Sequence, residues 1–243
     1  AGVEPVKLDK RILDLLKDCK TYYELTGGMV NPAMGSVLRL WHVARNDGIN
    51  DPVNAYLPKE DKLAEAAEHM DFNAVVLDEV NSTVYISDPN VQLDVGAVAK
   101  GWSVQRVAES APSGLLISVG GNVCATGPKR DDGTPWVIGI QDPDAADKNL
   151  HTVFVTENSV VTSGDYQRMY WVEGKPYHHI IDPDTLITLV FEVQLAFSDG
   201  SRRTYQTRND RYIRTDDGPW QQTDTGRLQK LNDLLLELPA DIG

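Results

Sequence analysis

The sequence predicts an α+β fold, because helical and strand-like patterns occur in separate parts of the chain. Apolar residues recur at helical spacing through most of the first 70 residues, which indicates helices there. Short β-like runs separated by turn residues dominate from residue 74 to residue 181, and one helical run interrupts them near residue 100. Helices in front, a strand–helix crossing in the middle and a meander behind are typical of this class.

Three helices are predicted in the first part of the chain. The first covers residues 8–25, where Gly27 and Gly28 are expected to end it. Its apolar stripe consists of Leu8, Ile12, Leu15, Cys19, Tyr22 and Leu25. A second helix is predicted over residues 34–43. A third is predicted to start at Pro58, since proline suits an early helical position, and its apolar side chains are Leu63, Ala66, Ala67 and Met70.

The middle of the chain is predicted to consist of short strands around one helix. That helix runs from about Ala97 to Ser110, directly after Gly96. Strands are predicted over residues 74–77, 83–87 and 91–94 before it, and over residues 115–119, 122–126, 136–141, 151–156, 159–162, 168–172 and 177–181 after it.

Beyond Thr185 the pattern changes. Three short strands are predicted over residues 191–197, 203–207 and 211–214. A helical stripe follows, formed by Leu228, Leu231, Leu234, Leu235 and Leu238. Because this tail has its own complete pattern, we predict two domains, residues 1–186 and a small three-strand-plus-helix module over residues 187–243.

Composition excludes several classes of function. The chain has 243 residues, of which 41% are apolar and 24% charged, as in a globular protein with a sizeable core. The formal charge of −13 argues against a nucleic-acid-binding protein, since no basic excess exists to release counterions. An anionic ligand would have to be held by helix N-termini, backbone N–H groups or a divalent metal.

No membrane segment or disulfide is expected. No apolar run approaches the roughly 20 residues that span a bilayer, and the opening residues, from Ala1 to Pro5, do not form a signal peptide. Cys19 and Cys124 fit no metal-binding spacing. One lies on a predicted helical stripe and the other in a predicted strand, so both are expected to be buried thiols.

A first candidate site is the segment Leu93-Asp94-Val95-Gly96-Ala97-Val98-Ala99-Lys100-Gly101. A helix that begins after Gly96 aims N–H groups and a positive dipole end at whatever lies above it. Lys100, one turn into the helix, can reach a phosphate. Asp94 could hold a ribose hydroxyl, a ring nitrogen or a metal-bound water. The alternative is structural: Asp94 caps the helix and Gly96 allows close packing.

A second candidate site lies within residues 162–183, which carry hydroxyls, carboxylates and a doubled histidine. Such groups on adjacent strands suit proton transfer beside a phosphate. His178 and His179 point to opposite faces of a regular strand, so only one is expected to face a pocket. Thr162, Ser163 and Asp165 could supply nearby polar groups, or could simply form a turn.

Two glycine-containing loops complete the pattern. Gly120, Gly121 and Asn122 follow a predicted strand, where glycine permits close approach to the backbone. The loop of residues 27–32 contains Asn31 before Pro32. A plain turn explains the first loop equally well, and a helix C-terminus followed by a turn explains the second.

Together these segments resemble the ApbE family, the FAD:protein FMN transferases. The 93–101 segment resembles one signature of that family, and the run from His179 to Pro183 resembles the other. The 27–32 loop resembles the family's flavin-contacting loop, with Val30 where an aromatic is usual and Asn31 where aspartate is usual. The order of features follows the family from about Val6 to Thr185.

The resemblance implies a T-fold-related flavin-transferase domain with FAD as its substrate. His179 is implied for proton handling, with Asp94 as a second catalytic residue, and the backbone oxygen of Ala97 is implied as a ligand of Mg²⁺. The implied FAD-binding residues are Met29, Val30, Asn31, Asp94, Gly96, Lys100, Gly120, Gly121, Asn122, Ser163, His179 and Ile180.

The implied reaction is Mg²⁺-assisted transfer of FMN from FAD to a threonine of an acceptor flavoprotein, with release of AMP. The resemblance also implies an extracytoplasmic location, with a lipid anchor upstream of this chain. Attack by water, giving FMN and AMP, is one alternative. A non-catalytic FAD-binding protein and an adaptor that acts through the tail are two others.

The chain departs from the family in two places. The family's opening strands are absent ahead of Ala1. After Thr185 comes Leu186, and the family's helix with the aspartate and threonine metal ligands is not found, since Asp224-Thr225-Gly226 is a weak match. We therefore expect this chain alone to bind FAD but to turn it over poorly.

Overall fold

The computed structural model describes residues 2–142, 145, 147–162, 164 and 168–188, together with the backbone of four strands between residues 191 and 222. Four α-helices lie in the first half of the chain: α1 (Lys10–Leu25), α2 (Gly35–Asn50), α3 (Glu60–Ala67) and α4 (Gly96–Ser110). Asp9 caps α1, because its side chain accepts a hydrogen bond from the N–H of Arg11. Gly27 and Gly28 follow that helix with φ of 60° and 90°, as predicted for its C-terminal stop.

The strands form small antiparallel sheets, which confirms the α+β class. Their bounds are β1 (Val6–Lys7), β2 (Val75–Asp78), β3 (Thr83–Ile86), β4 (Leu116–Val119), β5 (Asn122–Ala125), β6 (Trp136–Gln141), β7 (Asn149–Val155), β8 (Ser159–Val161), β9 (Met169–Val172) and β10 (Lys175–His178). The sheet orders are β1-β3-β2 and β4-β5-β8, and two hairpins pair β6 with β7 and β9 with β10.

The tail contains the three predicted strands, β11 (Phe191–Ala196), β12 (Arg202–Thr207) and β13 (Tyr212–Thr215), together with a short β14 (Gln221–Gln222). They form one antiparallel sheet in chain order. The predicted helix over Leu228–Leu238 lies outside the described residues. The division into domains at residue 186 stays a prediction.

The helices differ from the predictions in length and in the face they bury. Helix α2 continues to Asn50, seven residues beyond the predicted end at residue 43, and α3 ends at Ala67, before Met70. On α1, Ile12, Tyr22 and Leu25 are exposed, although all three belong to the predicted stripe. Leu15 and Cys19 of the stripe are buried as predicted, and Leu13 and Leu16, which lie outside the stripe, are buried as well. The predicted stripe was therefore wrong on one side.

Two predicted strands also need correction. Residues 91–94 form no strand, only an isolated parallel bridge between Gln92 and Met34. The strand predicted over residues 177–181 is β10, which begins at Lys175 and ends at His178. His179 and Ile180 therefore follow the strand instead of lying within it.

Two buried clusters hold the described part of the chain together. The first packs α1 against β2, β3 and the start of α4, and it includes Leu16, Cys19 and Phe72. The second packs α2 and α3 against the β9–β10 hairpin, around Trp41 and Tyr170. The loop before α2 joins them, because Ala33 belongs to the first cluster and Met34 to the second.

Both cysteines are buried free thiols, as predicted. Burial raises the pKa of the Cys19 thiol to about 11, so this side chain is an inert part of the core. Among the described residues, no helix is long and apolar enough to cross a membrane.

Candidate functional site

Helices α2 and α4 begin side by side. The N–H of Gly35 donates to the carbonyl oxygen of Gln92 at 2.9 Å, and the N–H of Asp94 donates to the carbonyl oxygen of Pro32 at 2.8 Å. The loop that contains Met29, Val30 and Asn31 therefore lies directly beside the start of α4. Both segments were predicted to bind the same ligand, and the fold makes them neighbours.

Asp94 caps the start of α4. Its Oδ1 accepts a hydrogen bond from the N–H of Gly96 at 2.8 Å, and the formal N-cap residue, Val95, makes no side-chain cap. The structural alternative for Asp94 is thus realised. Its Oδ2 makes no hydrogen bond to any residue that the structure describes, so one carboxylate oxygen remains for a ligand.

The start of α4 offers fewer N–H groups than the sequence suggested. Gly96 donates to Asp94, and the N–H groups of Val98 and Ala99 both donate to the carbonyl oxygen of Val95. Within the described part of the chain, only the N–H of Ala97 is left without a partner in this turn. An anion here would depend on that one N–H, the helix dipole and a nearby cation.

Lys100 supplies that cation and connects α4 to the glycine turn. Its Nζ donates to the carbonyl oxygen of Gly120 at 3.3 Å. Gly120 and Gly121 have φ of 51° and 89° and form the two-residue turn between β4 and β5, a conformation that favours glycine at both positions. The N–H of Thr162 donates to the carbonyl oxygen of Gly121 at 3.1 Å, so β8 ends at the same place.

Asn122 and Asn31 have structural roles. Asn122 is buried, its Nδ2 donates to the carbonyl oxygen of Val119 at 3.4 Å, and its Oδ1 faces Gly101 of α4. Asn31 orders its own loop: Nδ2 donates to the carbonyl oxygen of Met70 at 2.9 Å, and Oδ1 accepts from the N–H of Ala33 at 2.9 Å. Their predicted contacts with FAD stay predictions.

The remaining predicted binding residues of these loops are accessible or lie outside the described residues. Met29 is 47% exposed, which leaves its side chain available to a ligand. Val30 is half-buried, and its N–H donates to Thr26 Oγ1 at 3.0 Å. Ser163 lies outside the described residues.

The histidines lie on a separate cleft between α2 and the β9–β10 hairpin. The cleft is lined by Leu38, Trp41, His42, Arg45, Tyr170, Tyr177, His178 and His179. The expectation that only one of the two adjacent histidines faces a pocket is wrong, because β10 ends at His178 and strand alternation no longer applies at His179.

The two histidines differ in their surroundings. His178 is buried, and its Nδ1 accepts a hydrogen bond from the N–H of Ile180 at 3.1 Å, so a neutral His178 carries its proton on Nε2. His179 is half-buried on the same cleft. Ile180 thus positions the histidine pair through its backbone, while its predicted packing against a flavin stays a prediction.

The loop after the histidines is fixed by Asp182 and Trp41. Asp182 Oδ1 accepts hydrogen bonds from the N–H groups of Asp184 at 2.8 Å and Thr185 at 3.2 Å, so this side chain orders the loop. Trp41 Nε1 donates to the carbonyl oxygen of Leu186 at 3.0 Å. Leu186 has φ of 60°, and this strained conformation is held by the bonds around it.

Sequence patterns did not indicate His42 and Arg45, which form the α2 wall of the cleft. Their spacing from Leu38 puts all three on one face of α2, but periodicity does not say what that face contacts. Desolvation is the main cause that lowers the pKa of His42, and Arg45 and Arg168 lower it further.

Asp94 links the two halves of the site. The negative charge of its carboxylate opposes the effect of the two arginines. It favours protonated His42 and so offsets part of the lowering of the His42 pKa. Asp94 therefore lies within electrostatic reach of the cleft that His179 lines, while its own backbone starts α4.

A metal site is not evident in the described part of the chain. No three side chains of histidine, cysteine, aspartate or glutamate come together there in a way that could hold a metal ion. Ala97 lies in the first turn of α4 and is exposed, so its carbonyl oxygen could supply one ligand at most.

Comparison with known proteins gives a consistent picture. The model of the ApbE family matches residues 1–192. A protein of Treponema pallidum named FAD:protein FMN transferase is 35% identical over 202 residues, which cover 76% of this chain and 54% of that protein. A protein of the same name from Klebsiella pneumoniae is 31% identical over 188 residues, covering 75% and 55%. The chain thus spans about half the length of the curated relatives it matches.

Solved structures share the fold. The crystal structure of the ApbE protein from Thermotoga maritima aligns with a TM-score of 0.65 at 26% identity, and the alignment covers 95% of this chain and 80% of that one. The flavin transferase ApbE from Vibrio cholerae aligns with a TM-score of 0.57 at 22% identity over 85% and 62% of the two chains, a likeness of fold.

Proposed function

This chain belongs to the ApbE family, and on that premise we propose that it binds FAD and transfers the FMN half to a threonine hydroxyl of an acceptor flavoprotein, releasing AMP. Relatives that carry the name FAD:protein FMN transferase support the reaction class. Because the chain spans only about half of those relatives, the proposal depends equally on the geometry of its own residues.

The observation that carries the proposal is the contact between Lys100 Nζ and the carbonyl oxygen of Gly120, at 3.3 Å. This contact joins the start of α4 to the turn between β4 and β5. The helix start offers a cation and the available N–H of Ala97, and the glycine turn offers backbone without side chains. In a chain of net charge −13, this is a place where a phosphate of FAD can be held by local groups.

His179 is proposed to accept the proton of the acceptor hydroxyl. The threonine oxygen attacks the phosphorus of the FMN half and forms a new P–O bond. The P–O bond to the AMP phosphate breaks, and AMP leaves with that bonding pair. The proton passes to the imidazole, which is neutral at the start of the step. His178, through its bond to the backbone at Ile180, helps to fix the position of this chain segment.

Mg²⁺ dependence belongs to the proposal for the complete protein, but the described residues do not fit a magnesium site. Mg²⁺ demands near-octahedral oxygen ligands, whereas these residues offer no cluster of carboxylates, only the single carbonyl oxygen of Ala97. No catalytic step is therefore assigned to the metal here. From family resemblance alone, we also propose that the protein works outside the cytoplasm, anchored by lipid.

Binding is tested by titrating the chain with FAD and following flavin fluorescence. Lys100→Gln should weaken FAD binding about 10-fold or more, because a charge-assisted hydrogen bond to phosphate contributes roughly 1.5–3 kcal/mol. Lys59→Gln is the matched control, since Lys59 is also exposed and lies before α3. Equal affinities of the parent and the Lys100 variant would place the phosphates elsewhere.

Turnover separates the alternatives. A version of the protein that carries the family's aspartate–threonine helix should transfer FMN to an acceptor and lose that activity in His179→Ala, with FAD affinity changed only a few-fold. FMN release without an acceptor would indicate a pyrophosphatase. FAD binding without turnover would indicate a binding protein, and absence of FAD binding would reject the proposal. Robust, chelator-insensitive transfer by residues 1–243 alone would contradict the expected dependence on missing metal ligands.

A further inference from the structure

One arginine, Arg45, lines the histidine cleft, and a second, Arg168, acts on His42 of that cleft, although the chain as a whole is acidic. Within the described residues, Arg45 makes only one side-chain hydrogen bond, from Nη2 to Asn46 Oδ1 at 3.4 Å. Neither Arg45 nor Arg168 forms an ion pair with any residue that the structure describes. In a chain with 36 acidic and 23 basic residues, two guanidinium groups that act on one histidine and have no ion pair among the described residues call for an explanation.

The walls of the cleft strengthen any charge interaction inside it. Trp41 and Tyr170 are buried behind it, and the rings of Trp41 and Tyr177 stack with their centroids 6.2 Å apart. An apolar wall lowers the local dielectric, so an anion that enters is attracted more strongly than at an open surface. Desolvation is the main cause that lowers the pKa of His42, and the positive charges of Arg45 and Arg168 lower it further.

We propose that Arg45 and His42 bind the phosphoryl group on which His179 acts, namely the phosphate of the FMN half. This inference rests on the proposed function. The guanidinium fork matches two phosphate oxygens, and the imidazole of His42 can donate one N–H to a third. The group that they bind is the one that is transferred, because Arg45 and His42 line the same cleft as His179.

The assignment to the FMN half follows from the two ends of the site. Lys100 and the Gly120 turn form one cationic position, and the Arg45–His42 wall forms the other. One phosphate of FAD then lies at each end, and the AMP phosphate is the one near Lys100.

Isothermal titration with FMN, AMP and inorganic phosphate tests the inference. Arg45→Gln should weaken FMN binding 10-fold or more, with a change of less than about 3-fold for AMP. His42→Gln should weaken FMN binding by a smaller factor. The matched control is Arg39→Gln, since Arg39 is an exposed arginine of the same helix that does not line the cleft. It should leave FMN affinity within 2-fold.

The inference is overturned by unchanged FMN affinity in Arg45→Gln, by a larger loss for AMP than for FMN, or by equal losses in the Arg45 and Arg39 variants. Selective loss of inorganic phosphate binding without loss of FMN would indicate an unrelated anion site and would also overturn it. If Arg45→Gln fails to fold, Arg45→Lys keeps the charge, removes the fork and should still weaken FMN binding measurably.

The two proposals fail in different ways. If the parent protein binds neither FAD nor FMN, the proposed function is wrong and this inference fails with it. If the parent binds FAD, Lys100→Gln weakens that binding and Arg45→Gln does not affect FMN, only the assignment of the FMN phosphate is wrong.

Discussion

Replacing Gly35 by alanine should separate the two helix starts on which the site is built. Gly35 is the buried first residue of α2, and its N–H donates to the carbonyl oxygen of Gln92 at 2.9 Å. An added Cβ would clash with that carbonyl oxygen and lie 2.7 Å from the carbonyl carbon. Because the obstacle is backbone, it cannot move aside as a side-chain end could. The bridge between Met34 and Gln92 would have to open.

The cost is the sum of two effects. Overpacking at a buried site destabilises by roughly 1–3 kcal/mol, and the loss of one backbone hydrogen bond adds about 0.5–1.5 kcal/mol. We therefore expect the free energy of unfolding to fall by roughly 2–4 kcal/mol. For a chain of this size that corresponds to a Tm lower by about 4–16 °C. FAD binding should weaken as well, because Asp94 and the 27–32 loop would no longer be held together.

Gly101→Ala is the matched control. Gly101 is an exposed residue inside α4, and a Cβ there would lie 3.4 Å from Asn122 Oδ1, close to an ordinary contact. Alanine also favours a helix interior over glycine by up to about 1 kcal/mol. Urea denaturation of both variants gives the comparison. A stability of Gly35→Ala within about 0.5 kcal/mol of the parent, or an equal loss in Gly101→Ala, would refute the reasoning.

Two further predictions concern charges in the site. Asn31→Asp replaces the Nδ2 donor by an oxygen that faces the carbonyl oxygen of Met70. Thermal melts should show that the free energy of unfolding falls by about 1–3 kcal/mol at neutral pH. The loss should be smaller in acid, because the carboxyl group is then protonated and can donate. NMR titration should show that Arg45→Gln raises the pKa of His42, because it removes a positive charge that lowers this pKa. Asp94→Asn should lower the pKa of His42, because it removes a negative charge that raises it.

The lowered pKa of His42 also predicts how the stability of the fold depends on pH. The folded pKa of His42 lies below the ordinary value of 6.5, so the unfolded chain binds more protons in this range. Stability should therefore fall as the pH drops below about 6.5 towards the folded pKa, and His42→Gln should flatten that slope. An unchanged slope would contradict the lowered pKa. Equal melting of Asn31→Asp at neutral and acid pH would show that its side chain does not face Met70.

Local signals explain where the sequence-based predictions succeeded. The α+β order, the glycine stop after α1 and strand β6 were predicted correctly. Each depends on residues adjacent in the chain: a positive φ that glycine tolerates, or an alternation of half-buried and exposed side chains as in β6. The resemblance to the ApbE family depends on the same kind of short segment, and the family match over residues 1–192 bears it out.

Long-range contacts explain where those predictions failed. Helix α1 carries apolar residues on more than one stripe, and only packing against β2 and α4 determines that Leu16 is inside while Ile12 is outside. The segment 91–94 has strand-like residues but only a single bridge, to Met34. Strand pairing requires a partner backbone, and the sequence of the segment itself does not supply one.

By itself, the sequence determined which residues could carry chemistry, because residue type and local turn geometry set the donors, acceptors and charges at Asp94, Lys100 and His179. Only the tertiary structure decided which residues of other elements lie next to these groups. It joined Lys100 to Gly120, gave Asn31 a structural bond to Met70, and brought His42 and Arg45 to the same cleft as His179. The physical reason is that a pocket forms from the faces of elements distant in the chain, and the packing that selects those faces depends on all of them together.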